Sequence, residues 1–75
     1  MPHIIVKLWP GRSDEIKTNL AKKIATDVAE ELDVEISDVS VAFEEVERED
    51  WGEQVYKREI KGNPDIYLKP GYEYE

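Results

Sequence analysis

The 75-residue chain has no cysteine and only one histidine. The absence of cysteine excludes disulfide bonds, thiolate metal ligands and a cysteine nucleophile, and a single histidine excludes a multi-histidine metal site. Neither a nucleophilic triad nor a glycine-rich phosphate-binding loop is found among the other residues. We therefore expect a protein without metal or cofactor, whose chemistry uses ordinary side chains or the chain terminus.

Basic residues are few, since lysine and arginine total 10 against 18 aspartates and glutamates, a formal net charge of −8. A protein without a basic face is poorly suited to bind nucleic acid or an anionic membrane. No apolar run is long enough to span a bilayer, and the first residues lack the pattern of a signal peptide. These features predict a cytoplasmic protein that binds neither nucleic acid nor membrane.

Hydrophobic periodicity predicts a β-α-β unit in the first part of a single domain over residues 1–75. Residues 3–9 form the expected first strand, and Ser13 is the expected N-cap of a helix that reaches about Leu32. The apolar positions of this helix recur every four residues: Ile16, Leu20, Ile24, Val28 and Leu32. A second strand is predicted over residues 39–44, parallel to the first.

A short second helix is predicted over residues 51–60, which makes the fold class α+β. Asp50 and Glu53 have the spacing of a capping box, and Gly62 is placed to end the helix. Residues 66–68 fit either a short strand or a loop, and residues 69–72 fit a turn.

Two strands and one long helix cannot enclose a core. The sheet face that carries Ile5, Trp9 and Ala42 is left uncovered, and both sheet edges are open. We therefore expect a homo-oligomer. A dimer is favoured over a hexamer, because the chain after Glu49 would block the stacking of dimers.

Several motifs agree in order and spacing with one known family. Met1-Pro2 leads directly into the first strand, GRSDEIK follows at residues 11–17, and an aromatic residue comes soon after the second strand. This arrangement resembles the 4-oxalocrotonate tautomerase-like family over nearly the whole chain. The helix that begins at Asp50-Trp51 and the late KPGY at residues 69–72 are most similar to its PptA-type paratautomerase branch.

The resemblance implies a cofactor-independent keto-enol tautomerase of the β-α-β tautomerase fold, with Pro2 as the general base. Removal of Met1 would convert the Pro2 nitrogen from an amide into a secondary amine. Burial and a nearby cation disfavour the protonated form of such an amine, which suits it to act as a base near neutral pH. The implied substrates are small enol or dienol carboxylates.

The resemblance also implies roles for two residues of the β-α-β unit. Arg12 would hold a substrate carboxylate with its planar fork, although it could equally be a surface residue or pair with Asp14. Ser40 stands where the oxalocrotonate tautomerases have a second arginine. That substitution disfavours a diacid and favours monoacids such as aryl enolpyruvates, unless Ser40 is an ordinary outward-facing strand residue.

Three further residues have open interpretations. Trp51 matches a family aromatic in the pocket wall and would also serve as the core anchor of the second helix. His3 is interpreted as a packing or surface residue, and Lys69 as a second cation near the pocket or a residue without a role.

Two other functions remain open at this point. A non-catalytic, acidic, homodimeric binding protein could use the same fold, because a fold does not determine a function. The same pocket could also hydrate or decarboxylate a related unsaturated acid.

Overall fold

The computed structural model describes residues 1–74, which divide into two compact units, Met1–Glu45 and the residues from Val46 on. The first unit contains strand β1 (His3–Leu8), helix α1 (Asp14–Leu32), a 3₁₀ turn at Ile36–Asp38 and strand β2 (Ser40–Glu45). The second contains a 3₁₀ turn at Arg48–Asp50 and a π-helix at Gly52–Ile60. The single-domain organisation expected from the length stays a prediction.

The two strands form a parallel sheet in which His3 pairs with Ser40 and Leu8 pairs with Glu45. Because α1 connects the end of one strand to the start of the next, the unit is a β-α-β crossover. The predicted α+β class and the predicted parallel strands are confirmed.

Helix α1 begins and ends as its local sequence dictates. The backbone N–H of Ile16 donates to the Ser13 hydroxyl at 3.2 Å, and two acidic residues occupy the first turn, where the helix dipole favours them. At the other end Asp33 adopts a left-handed conformation (φ 55°), and its N–H returns to the Ala29 carbonyl. The predicted Ser13 cap and the predicted end near Leu32 are confirmed.

The predicted apolar stripe of α1 is only partly buried in the single chain. Ala29 is buried and Val28 is half-buried, whereas Ile16 and Leu32 are 54% and 58% exposed. A sheet of two strands is too narrow to cover a helix of 19 residues, so the ends of the stripe stay in solvent. Lys17 marks the covered face, since its Nζ lies 3.1 Å from the Glu45 carboxylate.

The opposite face of the sheet is open, as the sequence predicts. Ile5 is 53% exposed and Ala42 is exposed, although Trp9 is half-buried. None of the helices within residues 1–74 is long and apolar enough to cross a membrane.

The helix of the second unit has wider turns than an α-helix. The N–H of Lys61 donates to the Tyr56 carbonyl at 2.7 Å, an i→i+5 bond. Just beyond this bond, Gly62 has a φ of +70°, which confirms the predicted stop. Residues 66–68 are loop, so the strand alternative for them is not realised.

The predicted capping box was wrong. The chain is already helical at this point, because the N–H of Asp50 donates to Glu47 and that of Trp51 donates to Arg48. Asp50 therefore lies inside a 3₁₀ turn, and no side chain caps the π-helix. Backbone carbonyl oxygens of the preceding turn, and not a side-chain oxygen, accept the hydrogen bonds of these amides.

Aromatic packing organises the second unit. Val55 and Tyr56 are buried, and the rings of Tyr56, Tyr72 and Tyr74 form a cluster with centroids 5.4–5.8 Å apart. Gly52 allows this cluster to form, since a Cβ there would lie 2.8 Å from the Tyr74 ring.

Candidate active site

The first unit brings three polar or terminal groups together where both strands begin. Pro2 is half-buried, and its carbonyl oxygen accepts a hydrogen bond from the Ser40 N–H at 3.1 Å. The parallel register pairs the next residue, His3, with Ser40. Two of the residues predicted for the site, Pro2 and Ser40, are therefore neighbours.

Met1 is bonded to the Pro2 nitrogen in this chain. Its side chain is 89% exposed, and its amino group donates to the Asp38 carbonyl. With Met1 attached, the Pro2 nitrogen is an amide that has neither a proton nor a basic lone pair. The proposed chemistry therefore depends on removal of this exposed residue.

His3 contacts Ser40 directly, which the sequence interpretation missed. The imidazole Nδ1 and the Ser40 hydroxyl oxygen are 2.6 Å apart, a short hydrogen bond between two exposed side chains. The sequence held only part of the signal for this contact. In a parallel β-α-β unit the starts of both strands lie side by side, but the second strand was predicted to begin at residue 39, so the pairing of His3 with Ser40 was visible only in the structure.

Arg12 lies beyond the other end of β1. It is exposed, and its Nη1 donates to the Trp9 carbonyl at 3.4 Å, a long and weak bond. Among residues 1–74 no carboxylate is within salt-bridge distance of Arg12, and Asp14 lies 3.9 Å from Lys17 instead. Most of the planar fork is therefore free to bind an anion.

One chain does not place Arg12 beside Pro2. The two residues flank β1, which has six residues. Five steps of about 3.3 Å each separate the ends of such a strand by roughly 17 Å. Pro2 and Arg12 of the same chain therefore lie at opposite ends of the strand and do not form one compact site.

Trp51 lies in the second unit, half-buried at the start of the π-helix. Its indole Nε1 donates to the Tyr72 hydroxyl at 3.0 Å. This contact fits the interpretation of Trp51 as an anchor of the second helix, and its place in a pocket wall stays a prediction.

The charges of the second unit include one clear pKa perturbation. A hydrogen bond from Lys57, together with the positive charge of that residue, lowers the pKa of the Glu53 carboxyl below its usual range. The cause is an exposed i,i+4 pair typical of a helix surface. Within residues 1–74, no histidine, aspartate or glutamate side chains cluster in a way that could hold a metal ion.

Known proteins match this chain over most of its length. A family model described as "Tautomerase enzyme" matches residues 2–56, a range that includes Pro2, Arg12, Ser40 and Trp51. A protein of Xylella fastidiosa (strain 9a5c) named "Probable tautomerase" is 45% identical over 73 residues, which are 96% of this chain and 89% of that protein.

Two proteins named "Tautomerase PptA" are also similar. The one from Enterobacter sp. (strain 638) is 42% identical over 74 residues, covering 96% of this chain and 97% of the relative. The one from Cronobacter sakazakii (strain ATCC BAA-894) is 40% identical over 75 residues, covering 97% and 99%. The similarity extends through the late helix and the KPGY segment, so the resemblance seen in the sequence is confirmed. With its β-α-β unit, its Met1-Pro2 start and these matches, the chain belongs to the tautomerase family and has a function of the tautomerase type.

Proposed function

We propose that this protein is a cofactor-independent keto-enol tautomerase, an isomerase whose general base is the Pro2 nitrogen after removal of Met1. The observation that carries the proposal is the hydrogen bond from the Ser40 N–H to the Pro2 carbonyl at 3.1 Å. It fixes the Pro2 backbone against β2, so the rigid ring would present its nitrogen in a defined direction. A fixed base reduces the ordering cost of proton transfer.

The reaction needs only one proton carrier. The Pro2 nitrogen would take the proton from the enol hydroxyl of a 2-hydroxy-2-enoate and deliver a proton to the third carbon. The carbon–carbon double bond then becomes a carbon–oxygen double bond, and the product is the isomeric 2-keto acid. No redox step is involved.

The substrate class follows from the charges at the start of the strands. Ser40 is neutral, so it provides no positive charge to pair with a second carboxylate of the substrate. We propose monocarboxylates such as aryl enolpyruvates. The net charge of −8 makes a second anionic group on the substrate still less favourable.

A second copy of the chain would supply the carboxylate clamp. Because the two ends of β1 are roughly 17 Å apart in one chain, the Arg12 that binds the substrate would come from a neighbouring subunit. Exposed apolar residues on the sheet and on α1, among them Ile5 and Ile16, provide a surface that such an assembly would cover. We propose a cytoplasmic homodimer.

The test is ketonisation of phenylenolpyruvate by protein whose intact mass shows that Met1 is absent. Protein that retains Met1 and a processed Pro2→Ala variant are the controls. Fast ketonisation in the processed protein, lost in both controls, is the expected result. Equal background rates in all three would contradict the proposal and favour the alternative of a non-catalytic binding protein.

A further inference from the structure

The proposed proton transfer by Pro2 does not involve the contact between His3 and Ser40. The His3 Nδ1 is 2.6 Å from the Ser40 Oγ, and Ser40 is also the residue whose N–H holds the Pro2 carbonyl. Both side chains are exposed, so a ligand can reach them. His3 is the only histidine of the chain.

The direction of this hydrogen bond decides what Ser40 can offer a ligand. If Nδ1 has no proton, it accepts the hydroxyl hydrogen, and Ser40 has only lone pairs to present. If Nδ1 has a proton, it donates to Oγ, and the hydroxyl hydrogen is free to point at a third group. The charged imidazolium always has this Nδ1 proton.

We propose that His3 is a positioning residue that donates from Nδ1 to Ser40 and thereby directs the Ser40 hydroxyl toward a carboxylate or carbonyl oxygen of the substrate. This inference rests on the proposed function and names a substrate-binding group for it. In its charged form, His3 supplies through the hydroxyl part of the positive charge that Ser40 itself lacks. Substrate binding then strengthens at the pH values where the imidazole is protonated.

Two of the lysines near the pair are themselves paired with glutamates. The charged groups on the neighbouring elements are the amino terminus, Asp38, Lys7 with Glu44, and Lys17 with Glu45. The Met1 amino group, which is lost on processing, contacts the Asp38 carbonyl, and Lys7 lies 3.4 Å from Glu44, four register steps farther along the sheet. Lys17 and Glu45 pair on the α1 side of the sheet. Among residues 1–74 no carboxylate is within salt-bridge distance of His3.

Steady-state kinetics with phenylenolpyruvate between about pH 5 and 8 test the proposal. In the processed wild type, KM is expected to rise as the pH rises. His3→Phe should raise KM about tenfold at low pH, the size of one charge-assisted hydrogen bond, with a smaller change in kcat. His3→Asn keeps a donor in the Nδ1 position without a charge, so its KM should be intermediate and nearly independent of pH.

Two further variants separate positioning from a structural role. The KM of the double variant His3→Phe/Ser40→Ala should be no higher than that of Ser40→Ala alone, because His3 acts through the Ser40 hydroxyl. Glu44→Gln changes a charge on the same sheet face away from the pair and should keep the pH profile of the wild type. Wild-type KM and pH profile in all His3 variants, or additive losses in the double variant, would overturn the inference.

An NMR titration decides the question independently of turnover. The ring resonances of His3 are unambiguous, since the chain has one histidine. With phenylpyruvate as the probe, the pH midpoint of its titration should move upward, because a bound anion favours the imidazolium, and Ser40→Ala should reduce this shift. If the processed wild type does not ketonise, the proposed function fails, whereas this shift would still support the binding pair. No shift with saturating phenylpyruvate would overturn it.

Discussion

The N–H of Ser40 donates to the carbonyl oxygen of Pro2 at 3.1 Å, so the first residue of β2 holds the residue that precedes β1. The bond extends the parallel ladder by one step beyond His3. It joins the two chain segments that carry Pro2, His3 and Ser40, and it uses only backbone atoms of Pro2 and Ser40. Removal of Met1 can therefore change the Pro2 nitrogen without breaking this bond.

Arg12→Ala is expected to raise the KM for phenylenolpyruvate. Loss of hydrogen bonds to a substrate carboxylate corresponds to about 1.5–3 kcal/mol, or roughly 10- to 150-fold. The KM of Arg12→Lys should lie between those of wild type and Arg12→Ala, because lysine keeps the charge and loses the bidentate fork. Circular dichroism and Tm should stay near wild type, since Arg12 is exposed. An unchanged KM in Arg12→Ala would exclude it from the site.

Mixing two impaired variants, assayed at a substrate concentration well below the KM of Arg12→Ala, tests whether subunits share a site. Pro2→Ala and Arg12→Ala proteins, unfolded together and refolded, should regain part of the wild-type activity if Pro2 of one copy works with Arg12 of another. Each variant refolded alone is the control. Activity that stays at the level of the separate variants would contradict a shared site.

Ser13→Ala is expected to lower the free energy of unfolding by about 1 kcal/mol, because the Ile16 N–H loses its acceptor at the start of α1. Thr26→Ala is the matched control on the same helix. The Thr26 hydroxyl donates to the Lys22 carbonyl in mid-helix, where alanine is the better helix former. Urea denaturation should show a lower free energy of unfolding for Ser13→Ala and not for Thr26→Ala.

Gly52→Ala is expected to destabilise the protein by about 1–3 kcal/mol, since the new methyl group would meet the Tyr74 ring at 2.8 Å. Gly71→Ala is the control, because its Cβ would meet no atom within 4 Å. Thermal denaturation followed by near-UV circular dichroism should report the loss in the tyrosine cluster. Equal Tm values for both variants would show that Tyr74 moves away at little cost.

The Glu53–Lys57 pair should contribute to stability at neutral pH and lose its contribution in acid. Lys57 holds the folded-state pKa of Glu53 below its usual range, so the stabilisation is complete above that range. It disappears as the pH falls through the folded-state value and Glu53 takes up a proton. The Tm difference between wild type and Glu53→Gln should therefore be small and positive at pH 7 and shrink toward pH 3. High salt should also reduce it, because the pair is exposed.

Local signals in the sequence were enough for most of the fold. Ser13 capped α1 and Gly62 ended the second helix. A run of β-branched and aromatic residues located β1, and alternation located β2, because each of these features depends on neighbouring residues alone. The capping box at Asp50 was wrong for the same reason. Its sequence pattern was present, but a turn that began at Arg48 had already provided the partners of the backbone amides.

The candidate site was also predictable only in part from the sequence. The sequence by itself determined the order of the elements, through hydrophobic periodicity, and the residue types available for chemistry, through composition. Its motifs carried the resemblance to the family. Only the tertiary structure decided which residues meet. The crossover through α1 and the pairing of β1 with β2 set a register that joins His3 to Ser40, and the length of β1 separates Arg12 from Pro2. Contacts between strands depend on how the whole unit packs, and no local pattern of residues specifies them.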